Sequence, residues 1–255
     1  GHAGSLRRAI RRDSLVGLGL REVMNYSYVS DALLNLFNAL AAPRRIVLPN
    51  PVNLEQGTLR DTLIPQMVET LGRNLAHQIE EAAFFEMGRV LFLDENGKSG
   101  EEERLAIGLM GPVGRGALDR RAVLPGEESF LWLKGIWEGL AGALGVRQWA
   151  EQPMSVPFLE PGHAVTLAVD GQPVGILGLV KGDIRKEWRM TGPVAVLEVR
   201  VSPLLTHLFD KKAFVPWAAY PSVVRDMALV VDRAVRHEDI LKIIQKIDLK
   251  DLEKV

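Results

Sequence analysis

The chain contains no cysteine, which excludes disulfides, thiolate zinc sites and a thiol nucleophile together. It also lacks an excess of charge of either sign. Lysines and arginines number 31 against 32 acids, so no overall positive field draws the protein to nucleic acid or anionic lipid. Any RNA contact needs a local patch. No apolar run approaches the ~18 residues of a membrane span and no signal peptide opens the sequence, so a cytoplasmic protein is expected. The hydrolase pattern GxSxG, the zinc pattern HExxH and the phosphate-loop pattern GxxxxGKS/T are all absent. The five histidines (His2, His77, His163, His207, His237) never pair at ligand spacing, so surface or capping roles are expected and no metal site. GPVGRG has the glycines of a phosphate cradle without its lysine or its strand-to-helix setting, and reads as a loop.

What is present is an ordinary globular composition: 255 residues, 47% hydrophobic and 25% charged, enough for one large domain or two smaller ones. Gly1 in place of methionine and an uncapped end at DLKDLEKV read as marks of a piece of a longer chain. Ser5 is placed to cap a helix through LRRAIRRDSLVG, with Leu6, Ala9, Ile10 and Val16 on one side and Arg7, Arg8, Arg11 and Arg12 on a flank. That flank is a solvated face, or it meets an acidic partner helix or RNA phosphates. REVMNYSYV predicts a strand, DALLNLFNAL a short helix and RIVLPNP a strand whose prolines suit an end. Ile64, Val68, Leu71 and Leu75 form a helical stripe, with Thr62 placed to cap it and Pro65 in its first turn. FLWLKGIWEGLAGALGV turns Leu133, Ile136, Trp137, Leu140 and Leu144 inward. AVTLAVDGQPVGILGLV predicts a hairpin pivoting at Asp170-Gly171, GPVAVLEVRV an alternating strand and SPLLTHLFD a last short helix. Helices among hairpin-linked strands argue for an α+β fold on an antiparallel sheet. After KKAFVPWAAYPS, the strand RDMALVVD and the amphipathic helix HEDILKIIQKI open a second unit.

The stretch AFFEMGRVLFLDENGKSGEEERLAIGLMG, Ala83–Gly111, reads as two strands around the polar turn NGKSGEEER, where Glu101, Glu102 and Glu103 are expected to be solvated. It resembles the hairpin with which class II aminoacyl-tRNA synthetases grip ATP. In those enzymes an arginine follows the bulky residue after GRV; here Phe92 stands there. Arg89 lies three positions earlier, on the opposite face of the strand, and cannot replace it. A phosphate requires charge-assisted donors that a phenyl ring lacks, so Phe92 is expected to pack in the core.

Six segments in order resemble one family, the β subunits of bacterial phenylalanyl-tRNA synthetase: LVGLGLREVMNYSYVS, LPNPVNLEQGTLRDTLIPQMVETLGRNL, FFEMGRVLFLDENG, WLKGIWEGLAGALG, EPGHAVTLAVDGQPVGILGLV and FVPWAAYPSVVRDMALVVD. The resemblance implies that residues 1–210 are a catalytic-like domain, a class II synthetase fold with a degenerate active site. Residues 211–255 would be the truncated beginning of a ferredoxin-like anticodon-binding domain. In the related catalytic α subunit the hairpin reads roughly GRVYRRD; here Leu91, Phe92 and Leu93 replace the tyrosine and both arginines, while Asp94 matches. LRDT (Leu59 to Thr62) is similar to that subunit's LRTH. The third class II signature falls at VAVLEVR, where Glu198 stands for the glutamate and Val199 holds the arginine's place; Arg200 is one residue off, on the other face of the strand. Both expected ATP-contacting arginines are therefore replaced, by Phe92 and Val199. GLVKGD and EPGH depart from the family's usual GELHPE and HPGR.

By the same resemblance, this piece is a noncatalytic part of an (αβ)₂ heterotetramer whose α subunit ligates phenylalanine to tRNA(Phe) with ATP and Mg²⁺. No catalytic, cofactor-binding or metal residue is expected in it. The family's editing domain and acidic magnesium-binding segment lie upstream of what this chain represents. The first helix and the strand after it (Leu6 to Val29) would meet the α subunit, through Leu6, Arg8, Ile10, Arg12 and Val16. Two other readings are an autonomous ATP-using synthetase paralogue and a stand-alone RNA-binding module. The Phe92 and Val199 replacements oppose the first and the near-neutral charge opposes the second.

Overall fold

The architecture was read from a computed structural model, which describes residues 14–37, 45–51, 53, 56–111, 126–146, 148–209, 223–232, 235 and 237–247. The chain divides into two compact units, Gly1–Lys211 and Lys212–Val255. The first is built on a seven-stranded sheet in the order β1-β4-β5-β9-β8-β7-β6. Its strands are β1 (Arg21–Glu22), β4 (Ala82–Leu93), β5 (Ser99–Met110), β6 (Trp149–Pro153), β7 (Leu159–Val169), β8 (Gln172–Val180) and β9 (Val194–Arg200). Neighbours run antiparallel except β1, which joins β4 in parallel. A separate two-stranded sheet pairs β2 (Tyr28–Val29) with β3 (Thr58–Leu59).

Helices cover both faces of the large sheet. On one side α2 (Ile64–Ala76) buries Ile64, Met67, Val68 and Leu71 against Phe84, Val90, Ala106, Val194 and Val196, and α1 (Asp31–Phe37) adds Phe37. On the other, α3 (Gly126–Ala143) buries Leu133, Ile136, Trp137 and Leu140 against Phe85, Leu105, Ile107, Leu177, Leu197 and Val199. Two short helices complete the unit, α4 (Gly182–Arg185) and α5 (Val201–Leu205). In the second unit, α6 (His237–Lys246) forms where its apolar spacing predicts a helix.

Several expectations need correction. REVMNYSYV is not one strand: β1 and β2 are split by residues whose backbone bonds to buried side chains instead of a ladder. RIVLPNP contributes only a bridge from Val47 to Thr58, since Pro49 and Pro51 cannot donate to a ladder. β9 does not alternate. Val194–Val199 are buried throughout because helices cover both faces of this central strand. β6 and the first residues of β7 were not expected, and Pro153, Pro161 and Gly162 explain why. β6 is an edge strand, where a proline is tolerated, and β7 carries a register shift between Leu159 and Ala164. RDMALVVD forms no strand among the described residues. The helix through residues 5–16 lies outside them up to Asp13; Ser14–Gly19 form a closing turn with Leu15 buried.

Candidate functional site

Strand register brings the charged residues together. On the α2 face, Glu86 lies opposite Ala106, which lies opposite Glu198. One step along, Gly88 lies opposite Arg104 and Arg104 opposite Arg200. Val90 then faces Glu102, and Phe92 faces Gly100. The hairpin, β5 and β9 thus line a cleft whose wall carries two glutamates, two arginines and Glu102.

Arg60 enters this cleft from the end of β3. Its backbone N–H donates to Ser27 O (3.0 Å) and its carbonyl accepts from Leu91 N (2.9 Å). Its guanidinium lies over Gly88, where a Cβ would overlap it; the glycine of the GRV motif makes room for an arginine of the same chain. Nη1 donates to Glu86 Oε1 at 2.7 Å and Nε to the Arg89 carbonyl at 3.0 Å. Arg60 and Glu86 are 4% and 2% exposed, so the pair is fully desolvated.

Glu198 holds the second knot. It accepts from Thr62 Oγ1 (2.9 Å), from the Leu63 N–H (2.5 Å) and from Arg104 Nη1 (2.8 Å). Leu63 is the N-cap of α2 and has no side-chain cap bond of its own, so Glu198, from a distant strand, serves the free donors of this helix end. Thr62, expected as the cap, accepts from the Ile64 N–H at 3.3 Å and donates its own hydroxyl to Glu198. Arg104 also donates to Glu102 at 3.0 Å and to the Asp61 carbonyl at 3.3 Å. Burial works against the Arg104 cation, yet Glu198 and Glu102 outweigh it and hold its pKa above the usual arginine value. Asp61 is buried beside this knot, 3.7 Å from Arg45, with Oδ1 unpartnered. Burial pushes its carboxyl above the usual aspartate range, against the pull of Arg45.

The residues singled out by sequence fall as follows. Phe92 is half-buried and not in the core; its ring covers Gly100 across the hairpin. A hairpin end without a covering helix leaves a strand side chain only its cross-strand neighbour to pack on. Val199 is 1% exposed and points into the α3 core, away from the cleft, whereas Arg200 shares the face of Glu198 and lies 3.8 Å from Glu102. Arg89 is exposed on the opposite face, paired with Glu101 at 2.9 Å. Glu101, Glu102 and Glu103, expected to be solvated in a turn, all belong to β5, and Glu102 lies in the cleft. Asp94 organises the hairpin turn by accepting from the N–H groups of Asn96 and Lys98. Leu6, Arg8, Ile10 and Arg12, the Arg7 and Arg11 beside them, and most of GPVGRG lie outside the described residues; Val16 is half-exposed. His163 stacks edge-on against Phe130 and His207 lies 3.0 Å from Asp170. Among the described residues, no three His, Asp or Glu gather as metal ligands.

The set Arg60, Glu86, Gln66 and Arg104, the first three buried, escaped notice in the sequence because most of its partners are far apart along the chain. One signal was legible: Glu86 is a lone charge in the apolar run AAFFEMG. A buried carboxylate requires a buried cation, but nothing local in TLRDTL marks Arg60 as that cation. Chemically the donor set does not fit a nucleotide's phosphates. Arg60, Arg104 and Arg200 each face a carboxylate within the chain, and the adjoining 280 Å³ hollow is lined by Arg104, Arg200 and Glu198 among mainly apolar groups such as Ile176 and Met154.

Comparison with known proteins places this geometry among relatives. Residues 2–201 match the family described as phenylalanyl tRNA synthetase beta chain CLM domain. The phenylalanine–tRNA ligase beta subunit of Dehalococcoides mccartyi is 30% identical over 239 residues, covering 93% of this chain and 29% of that subunit. The subunit of Symbiobacterium thermophilum is 31% identical, covering 90% and 26%. That of Bacillus licheniformis is 33% identical, covering 95% and 31%. The chain therefore spans less than a third of the length of these relatives. In fold it is similar to pyrrolysyl-tRNA synthetase from Desulfitobacterium hafniense, with a TM-score of 0.62 at 17% identity over 80% of this chain and 68% of that one. That likeness is of fold alone: a mostly antiparallel sheet with flanking helices, as in the catalytic domains of class II synthetases.

Proposed function

Because the chain belongs to the family of phenylalanyl-tRNA synthetase beta chains, we propose that it is a noncatalytic, structural part of a β subunit. It supports an α subunit that ligates phenylalanine to tRNA(Phe). The observation that carries this reading is the cleft whose guanidiniums are all matched by carboxylates of the same chain. Phe92, standing where a working hairpin would carry an arginine, points the same way. ATP and Mg²⁺ then belong to the α subunit of a cytoplasmic (αβ)₂ heterotetramer, and tRNA(Phe) is met by the full assembly. Residues 1–210 act as the catalytic-like domain, and residues 211–255 begin a ferredoxin-like anticodon-binding domain. The α subunit is met through the first helix and the segment after it, Leu6 to Val29, with Leu6, Arg8, Ile10, Arg12 and Val16 in contact. Among the described residues no helix is long and apolar enough to cross a membrane.

The test has two arms. ATP–pyrophosphate exchange with phenylalanine should be at background for this chain alone and should appear when the α subunit is supplied with the full β subunit. Turnover by the chain alone would instead establish an autonomous synthetase. Reversing the charges of Arg8 and Arg12 should weaken α–β association in analytical ultracentrifugation, and unchanged assembly would remove the arginine flank from the interface.

A further inference from the structure

The run Val23–Ser30 carries no charged residue, yet its side chains are treated in two opposite ways. Met24, Tyr26 and Tyr28 stand out, 86%, 74% and 44% exposed. Asn25 turns inward and its N–H and side-chain amide donate to the two oxygens of Glu86, at 3.2 and 2.8 Å. Thr70 donates to its side-chain oxygen at 2.8 Å, and Arg60 Nη1 reaches its carbonyl at 3.4 Å. The Arg60 N–H holds Ser27 O, and Gln66 Nε2 donates to both Tyr26 O (2.8 Å) and Tyr28 O (3.2 Å). Arg60, Glu86 and Gln66 are all buried. A desolvated ion pair is a weak source of stability compared with apolar packing, so its presence calls for another account. It gives a segment without a full ladder one fixed shape.

The segment's own outward side chains have the composition of an interface core, tyrosine and methionine without charge, with Arg21, Glu22 and Asp31 at its ends and Glu69 and Arg73 beside the tyrosines. Such a face suits a protein partner better than RNA, whose phosphates require lysines and arginines. Resting on the pairing proposed above, we infer that Arg60, Glu86 and Gln66 are positioning residues. The polar groups that fill the cleft clamp the segment from behind and hold Met24, Tyr26 and Tyr28 in the shape that meets the α subunit.

Gln66→Leu keeps the side-chain bulk and removes both carbonyl donors. It should speed hydrogen exchange of amides 23–29 by about tenfold or more while leaving β4, β5 and β9 unchanged. It should weaken binding to the α subunit by about tenfold, while the unfolding free energy falls by no more than the ~1.4 kcal/mol that tenfold faster exchange represents. The double variant Tyr26→Ala/Tyr28→Ala should lose a similar affinity with exchange unchanged. Should Gln66→Leu fail to fold, Asn25→Ala carries the same two measurements. Unchanged exchange in the clamp variants, or accelerated exchange with affinity within about twofold of the parent, would overturn the inference. If the unsubstituted chain does not bind the α subunit at all, the pairing fails while exchange still reads the clamp. If the chain self-associates and the tyrosine variant makes it monomeric, the partner is a second copy and the assignment to the α subunit is wrong.

Discussion

Asp61 concentrates the tension of the cleft in one carboxyl. It is buried, one oxygen has no partner, and its closest cation, Arg45, is 3.7 Å away. Burial raises its pKa in the folded state, so between the ordinary aspartate value and the raised one the folded protein holds a proton that the unfolded chain has released. Stability then falls as pH rises through that window: the contribution of Asp61 is fully present below the unfolded value and is lost above the folded one. Asp61→Asn abolishes this titration. Relative to the parent, the variant should gain stability as pH is raised from below the aspartate range to neutrality, read from urea midpoints at each pH. A difference that stays flat, or runs the other way, would mean that Arg45 dominates burial. Phe92, Glu198 and Val199 were legible as residues from the motif pattern, since each sits at a recognisable spacing. What Val199 faces was not, because it depends on which helix covers β9, and no local pattern specifies that.

At the scale of elements, the cleft depends on β9 being central. Its neighbours β5 and β8 pair with it on both sides, and α2 and α3 cover its two faces. Restoring the arginines of a nucleotide site should therefore have unequal effects. Val199→Arg would bury an unpaired guanidinium under α3 and should cost more than about 4 kcal/mol, enough to leave the protein largely unfolded. Phe92→Arg, at the half-buried hairpin end, loses only its packing on Gly100 and should cost no more than about 2 kcal/mol. Urea denaturation of the two variants reads the difference; similar costs would contradict the facing of β9. Strongly periodic elements such as α2 and α3, and the hairpin β7–β8 with Asp170 and Gly171 both at positive φ, were legible because their signals are local. β6, the start of β7 and the split of β1 from β2 were not. Prolines mask an edge strand, and the break after Glu22 is imposed by Glu86 and Gln66, which lie far along the chain.

For the whole molecule, the distribution of buried apolar groups separates the two units. Both core clusters draw on residues from Leu15 to Leu204, all inside Gly1–Lys211. Within Lys212–Val255, residues 223–232 are exposed throughout, among them Val223, Val224, Met227, Leu229, Val230 and Val231, and so are Ile243 in α6 and Ile247 just after it. A strand is completed by its neighbour's ladder, and among the described residues Arg225–Asp232 has none, which is why its alternating pattern does not become a strand here. The hydrophobic stabilisation of the first unit should accordingly owe little to the second. A chain ending at Lys211 should unfold in urea within about 0.5 kcal/mol of the parent, since every described member of both clusters lies in the first unit. It should also bind less of a dye that reports exposed apolar surface, and aggregate less on concentration, because the uncovered valines and isoleucines are gone. A midpoint lowered well beyond that margin would show that the second unit completes the core of the first. The domain boundary proposed above would then have to be redrawn to include it.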